Sequence, residues 1–358
     1  MQAETLDPEA AVQAIEYCYE QGWSDGLPVV PPTPALMDQF LSHTGRNRPE
    51  VVWRMEHVNR ACTVELAAAN AVMAGCRPEY FPVVLAALEA VVDEGSAGIG
   101  AWQSTTGGTP LLVVNGPVRQ QLGFNCAGSL FGSGFRANAT VGRAIRLIIM
   151  NAFGVRPHVL DQATQATPGK YTLCIAENEE ESPWEPLHVE LGHSPQASTV
   201  SALHIRSCDF LDNRQTDDPV HILNDIVDTV SRTGIMRRRL NCTCVVMGPE
   251  HAQLLARHGY SKADVKAFIA EHAGRTYADL ERVGKEAIEE PLGFCRPATE
   301  AEATQHRPDE FLRSVPSPKD VLLIVAGARN AGVSTVVQPF NTTHRRVPGI
   351  AVVEDVKP

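Results

Sequence analysis

Two short stretches constrain the fold of this chain more than any other feature. "LLVVNGPVRQQLG" (111–123) and "CTCVVMGPEHAQLLARHG" (242–259) each pass from a β-branched run, through one residue and Gly-Pro, into a helical turn containing glutamine. β-Branched residues pack well on a pleated surface, and a proline after them ends the strand but suits the first turn of a helix. Gly116 and Gly248 stand 132 positions apart, and a second helical pattern follows each junction, at 137–152 and at 261–273. A third apolar run, "VLLIVAG" (321–327), also ends at glycine. Such a repeat is what duplication of an α/β unit leaves in a sequence, and it is also a common junction in its own right. Under both readings strands alternate with helices, so the expected fold class is α/β, a mixed sheet with flanking helices. Under the first it consists of two related α/β halves, an N-terminal region 1–205 and a C-terminal region 206–358 packed as one unit.

The remaining elements follow from punctuation. Residues 8–21 read as a helix, and "SDGLPVVPPTP" (24–34) as an extended loop, a candidate lid or subunit contact, since each proline removes a donor. Helices are expected at 61–75, ending at Gly75, and at 78–95, opening with Pro78 and ending at Gly95. Strands are expected at 171–176 and 198–205, a helix at 219–233, and connectors at 206–218 and 291–320.

Composition excludes several classes. The 358 residues are 44% hydrophobic, enough for a large core, and carry a formal net charge of −11. Nucleic-acid binding needs a basic face to displace counterions, so no such partner is expected. "RRR" (237–239) reads as a solvated helix end. The start lacks the basic and apolar run of a secretory signal, and no stretch reaches the ~18 apolar residues of a membrane span. Nine cysteines, an odd number, scattered through a long chain do not make a disulfide framework. The expectation is a cytoplasmic protein with reduced thiols, in which the sequons at Asn138, Asn241 and Asn341 carry no meaning.

The stretch "NCAGSLFGSGFRANATVGRAIR" (125–146) is the first candidate site. Gly128, Gly132 and Gly134 let backbone approach a ligand closely, and the helix that follows offers unpaired N–H groups and a positive dipole end. Asn125, Gly132, Gly134, Arg136, Asn138 and Arg143 are the candidate substrate-binding residues, with the arginines as donors to a carboxylate or phosphate. Cys126 beside that field is expected to have a lowered pKa and to act as a nucleophile or redox thiol. The second candidate is "AENEEESPWEPLH" (176–188), which leaves a strand end, where α/β sites gather. Glu177 and His188 are candidates for proton transfer there, and Asn178 for substrate binding.

Other motifs fail on context. "GSGFRA" (132–137) matches a dinucleotide fingerprint, with Asp161 near the position of a ribose-binding acid, but no strand runs directly into it. "GARNAGVS" (327–334) has the glycine spacing of a P-loop, with Val333 in place of its lysine and a strand in place of its helix. His188, Glu190 and His193 offer two imidazoles and a carboxylate within six residues, a pattern that suits a metal but reads better as exposed polar residues. Cys242 and Cys244, facing one side of a strand, read as core thiols. No cofactor or metal is implied.

"GWSDGLPVVPPT" (22–33), "GSGFRANATVGRAIRLIIMNAFG" (132–154), "GKYTLCIAENEEESPWEPLH" (169–188) and "GPEHAQLLARHGYSKADV" (248–265) together resemble a family of uncharacterised bacterial proteins, one associated with small proteins bearing a U/C-G-S-C redox-type motif. The resemblance spans most of the chain and implies an integrated enzyme-like unit with a thiol-containing protein partner. It assigns no activity and no catalytic residue. The expected function is a cytosolic enzyme acting on a small anionic molecule, by bond cleavage beside a carboxylate or by thiol-linked redox chemistry, alone or as a homo-oligomer. The competing expectations are a non-catalytic subunit lending an anion pocket or scaffold to a thiol-containing partner, and a metal-dependent hydrolase.

Overall fold

The computed structural model describes residues 7–95, 101–234, 241–285, 288–289, 295–296, 301, 306–340 and 348–354. The basic run 237–239 lies outside them. Helices α1 (Pro8–Glu20) and α2 (Pro34–Leu41) each have proline in the first turn and a capping side chain, Asp7 and Thr33. A hairpin follows, β1 (Val51–Met55) with β2 (Arg60–Thr63). The helix expected from residue 61 therefore starts later. Ala61 and Cys62 are held in β2 by β1, and α3 (Val64–Ala74) begins once the Thr63 hydroxyl accepts from the Leu66 amide. Next come α4 (Phe81–Glu94), β3 (Thr109–Asn115), α5 (Val118–Gln121), α6 (Arg136–Asn151), β4 (Cys174–Ala176) and α7 (Leu187–Glu190). The chain continues through β5 (Thr199–Asp212), α8 (Pro219–Val230), β6 (Thr243–Met247), α9 (Pro249–Arg257), α10 (Lys262–His272), β7 (Gly274–Thr276) and α11 (Tyr277–Glu281). It ends with β8 (Ile288–Glu289), β9 (Cys295–Arg296), β10 (Phe311–Arg313), β11 (Val321–Val325), β12 (Val333–Pro339) and β13 (Gly349–Val352).

The central sheet is mixed, in the order β11-β6-β12-β5-β3-β4, with β13 paired to β5. Its two sides follow one plan. β3 is parallel to β4 and antiparallel to β5, β6 is parallel to β11 and antiparallel to β12, and β5 and β12 join the sides antiparallel. The repeated Gly-Pro junction occupies equivalent places at the ends of β3 and β6. A Cβ on Gly116 would overlap the Ala197 carbonyl oxygen ahead of β5, and one on Gly248 the Val333 carbonyl oxygen at the start of β12. A serine ties each junction: Ser198 Oγ accepts from the Val118 amide and Ser334 Oγ from the Gly248 amide, each at 3.1 Å. The third run, β11, is the counterpart of β4. β5 runs through the expected division at 205/206, so one strand serves both regions. Residues 206–212, read as connector, are strand because β12 pairs with them from Val333↔Asp212 onward.

The sheet curls until its outer strands meet at their carboxyl ends. The Asn178 amide donates to the Val325 carbonyl at 2.8 Å, just past β4 and at the end of β11. The stretch 125–126 wedges in beside them, since the Ala176 amide donates to Asn125 O and the Gly327 amide to Cys126 O. The curl encloses a core drawn from both sides, including Leu111, Ile175 and Leu203 with Val246, Ile324 and Val337. Two further cores lie outside, one under α3, α4 and α6 and the other under α8, α9 and α10. Cys242 and Cys244 are buried, as their spacing implied.

Candidate functional site

The two stretches singled out in the sequence do come together at the carboxyl ends of β3, β4 and β11. Asn138, on α6, pins them. Its Oδ1 accepts from the Asn125 amide at 2.8 Å, and its Nδ2 donates to Asn125 O at 3.0 Å and Cys174 O at 3.2 Å. Asn178 Nδ2 donates to Gly327 O at 3.0 Å. Both asparagines thus hold backbone together. Glu177 is 1% exposed and does the same, Oε2 accepting from Asn115 Nδ2 at 2.7 Å and from the Leu187 amide at 2.8 Å. Burial pushes its carboxyl above the ordinary range against the pull of Lys262.

The acidic run after Glu177 has a cation that the sequence reading overlooked. Buried Arg119 donates to the Glu177 carbonyl at 2.7 Å and pairs with Glu179 at 3.0 Å and Glu180 at 2.9 Å. Its place three residues after Gly116 was the available signal. His188 is also buried, its Nδ1 4.0 Å from Glu179 Oε1, and neither ring nitrogen makes a hydrogen bond. Burial pushes the imidazole pKa down, against the pull of the Glu179 carboxylate. His188 is therefore not the exposed polar residue expected, and Glu190 is held by Lys262 at 2.7 Å and by Lys266. Among the described residues no group of three or more His, Cys, Asp or Glu is arranged to hold a metal ion.

The arginines expected to bind an anion have protein partners. Arg136 Nε donates to the Gly75 carbonyl at 2.9 Å, where it closes the carboxyl end of α3. Arg143 grips Asp25 through Nε and Nη2 at 2.9 and 2.7 Å and donates to the Leu27 and Pro28 carbonyls. It therefore anchors the proline-rich loop. The thiol of half-buried Cys126 departs from expectation in the same way. Burial raises its pKa and outweighs the opposing charge of Arg119, so the thiol is held above its ordinary value. Gly132 and Gly134 shape the loop: a Cβ on Gly132 would strike Ser129 Oγ, and Gly134 has φ +116°. That loop and residues 326–331 line a mostly apolar cleft of about 470 Å³.

The charged cavity lies farther along α6. Asp25, Arg146, His158, Asp161, Lys170 and Tyr171 line a pocket of about 560 Å³. Asp161 Oδ2 accepts from Lys170 Nζ at 2.6 Å and from Arg146 Nη2 at 3.1 Å, and Asp161 Oδ1 accepts from the Ala163 amide at 3.2 Å. The three side-chain owners are 5%, 9% and 8% exposed. Burial pushes the Asp161 carboxyl up, but the hydrogen bond and charge of Lys170 outweigh it and hold the pKa below the ordinary value. Lys170 is pushed below the ordinary lysine value by burial, which outweighs the support of Asp161. Asp161 is thus committed to two cations and is no ribose-binding acid. One donor remains: Arg146 Nη1 is buried without a hydrogen-bond partner. In the wall, His158 and Ala166 hold φ of 65° and 73°, which non-glycine residues rarely adopt outside constrained sites.

Arg146 and Lys170 were not among the expected site residues, although Arg146 follows Arg143 by one helical turn and Lys170 stands in "GKYTL". Asp25, Arg146 and Lys170 come from three of the four stretches that carry the resemblance. No family model matches the chain, and neither the curated proteins nor the solved structures provide a match. No helix among the described residues is long and apolar enough to cross a membrane.

Proposed function

We propose that the chain is an enzyme acting on a small carboxylate- or phosphate-bearing molecule bound in the pocket of Arg146, Asp161 and Lys170. The observation that carries this reading is the pair of cations, Arg146 and Lys170, that line this cavity while at least nine-tenths buried, with the carboxylate of Asp161 between them. An anion is the ligand that suits their charge. Asp161 holds the guanidinium in place through Nη2. Lys170 supplies the reactive group. Its depressed pKa makes a neutral amine more accessible than in a free lysine, and a neutral amine accepts a proton from the atom beside the bound anion. Proton abstraction or bond cleavage next to the anionic group is the chemistry that this pair supports. The raised thiol of Cys126 favours it over sulfur chemistry.

The test is calorimetric titration of the wild-type protein with oxalate and with inorganic phosphate, repeated with Arg146→Gln and Arg146→Lys. Loss of a hydrogen bond to a charged group, about 1.5–3 kcal/mol, weakens binding roughly tenfold or more. A folded Arg146→Gln protein that binds both anions as tightly as wild type would rule the pocket out.

A further inference from the structure

Two lysines are buried among the described residues, and they differ in what surrounds the amine. Lys262 is held by Glu190 at 2.7 Å and by the Glu185 carbonyl at 3.0 Å. Lys170 Nζ donates to Asp161 Oδ2 at 2.6 Å and, among the described residues, to nothing else, and its side chain lines the cavity of about 560 Å³. Its backbone is fixed. Pro168–Lys170 form a 3-10 turn in which the Thr167 hydroxyl accepts from the Gly169 amide and the Thr167 carbonyl from the Lys170 amide at 3.0 Å. Arg146 reaches the same Asp161 oxygen at 3.1 Å, so a second cation stands beside the amine. A lysine that is desolvated and next to another cation is the kind that attacks carbonyl groups. We infer that Lys170 forms a covalent imine with an aldehyde or ketone, on the reading that this cavity binds the anionic substrate.

The step balances with the groups present. Asp161 takes one proton from the ammonium, and the freed lone pair on Nζ adds to the carbonyl carbon while the C=O pair moves onto oxygen. That oxygen receives the proton from Asp161, takes a second proton from nitrogen by the same route and leaves as water as the nitrogen lone pair closes the C=N bond. Ammonium plus carbonyl gives iminium plus water, and nothing is oxidised or reduced. The charge is kept as well. The iminium carries the same single positive charge as the ammonium, so Asp161 retains its cationic partner and no buried carboxylate is left unpaired. Burial, which pushes the Lys170 pKa down against the support of Asp161, eases the first deprotonation. The iminium draws electrons from the neighbouring bonds, which assists proton loss or cleavage beside the substrate's anionic group.

Reductive trapping tests this with the wild-type protein, so no variant has to fold. Pyruvate and dihydroxyacetone phosphate, two ketones that differ in their anion, are each incubated with the protein and sodium cyanoborohydride, which reduces an imine to a stable secondary amine. Labelled lysines are then mapped by peptide mass spectrometry. A carbonyl held beside the amine reacts at a far higher effective concentration than one in solution, so at least about tenfold more label is expected on Lys170 than on the exposed Lys319 with one ketone or both. Label on Lys170 no greater than on Lys319 with both ketones overturns the imine. Excess oxalate separates this inference from the reading beneath it. Oxalate should suppress the Lys170 label, since anion and carbonyl share the cavity; label that persists in oxalate upholds the imine and counts against the anion pocket. If neither ketone labels Lys170 while oxalate or phosphate binds through Arg146, the imine fails and the anion pocket stands.

Discussion

Replacing Asp161 with asparagine should weaken the fold and strengthen anion binding at once. In the native protein one carboxylate oxygen lies 2.6 Å from Lys170 Nζ and 3.1 Å from Arg146 Nη2, and all three residues are at least nine-tenths buried. Asp161→Asn leaves two buried cations facing a neutral amide. Removing one partner of a buried pair costs about 3–5 kcal/mol, because the surviving charge remains desolvated. The bond from the Ala163 amide can persist to the asparagine Oδ1, so the loss should stay within that range. The same change adds one net positive charge to the pocket, so oxalate should bind at least about tenfold tighter, ~1.4 kcal/mol. Oxalate at about 100 times its dissociation constant should then return ~2.7 kcal/mol of stability by mass action. Urea unfolding followed by tryptophan fluorescence reads the first effect, calorimetry the second, and unfolding with oxalate the third. A stability loss below about 1 kcal/mol, together with unchanged oxalate affinity, would refute the buried-triad reasoning.

The strand-end junctions should respond as a pair. Gly116→Ala and Gly248→Ala should each lose about 1–3 kcal/mol in urea unfolding, from overlap with the Ala197 and Val333 carbonyls, with Gly116 the more sensitive because its φ is +79°. Cys126, which is half-buried, should be alkylated ahead of the buried Cys174, Cys242 and Cys244, but its labelling rate should still be rising with pH in the alkaline range, because burial holds the thiol pKa above its ordinary value; a plateau by neutral pH in peptide mass spectra would contradict this. Between the depressed folded value of Lys170 and 10.5 the unfolded chain binds more protons than the folded one, so this residue makes stability rise with pH in that window. Lys170→Met should remove that rise, as measured by urea midpoints across the alkaline range.

The sequence by itself determined what depends on neighbours along the chain. The Gly-Pro junctions, the alternation of strand and helix, and several helix starts were legible, because a proline, a glycine or a capping side chain acts within one turn: Asp7 before α1, Asp218 before α8, Ser261 before α10, whereas α2, capped by Thr33, fell in a stretch read as loop. Tertiary structure decided the rest. Residues 61–62 became strand through β1, and 206–212 through β12. It also decided the fate of three arginines on α6 that look alike in sequence. Arg136 meets the carbonyl of Gly75, Arg143 meets Asp25 and Arg146 meets Asp161, and only Arg146 of these three keeps a buried nitrogen without a partner. Cys126 and Glu177 come to one sheet edge, and burial raises both pKa values. Helix and turn propensities are local and additive along the chain, whereas ion pairing and desolvation depend on which distant segment the fold lays against a side chain. Arg143 is separated from Asp25 by 118 positions and Lys170 from Asp161 by 9, and nothing in either spacing tells which cation is left to meet a ligand.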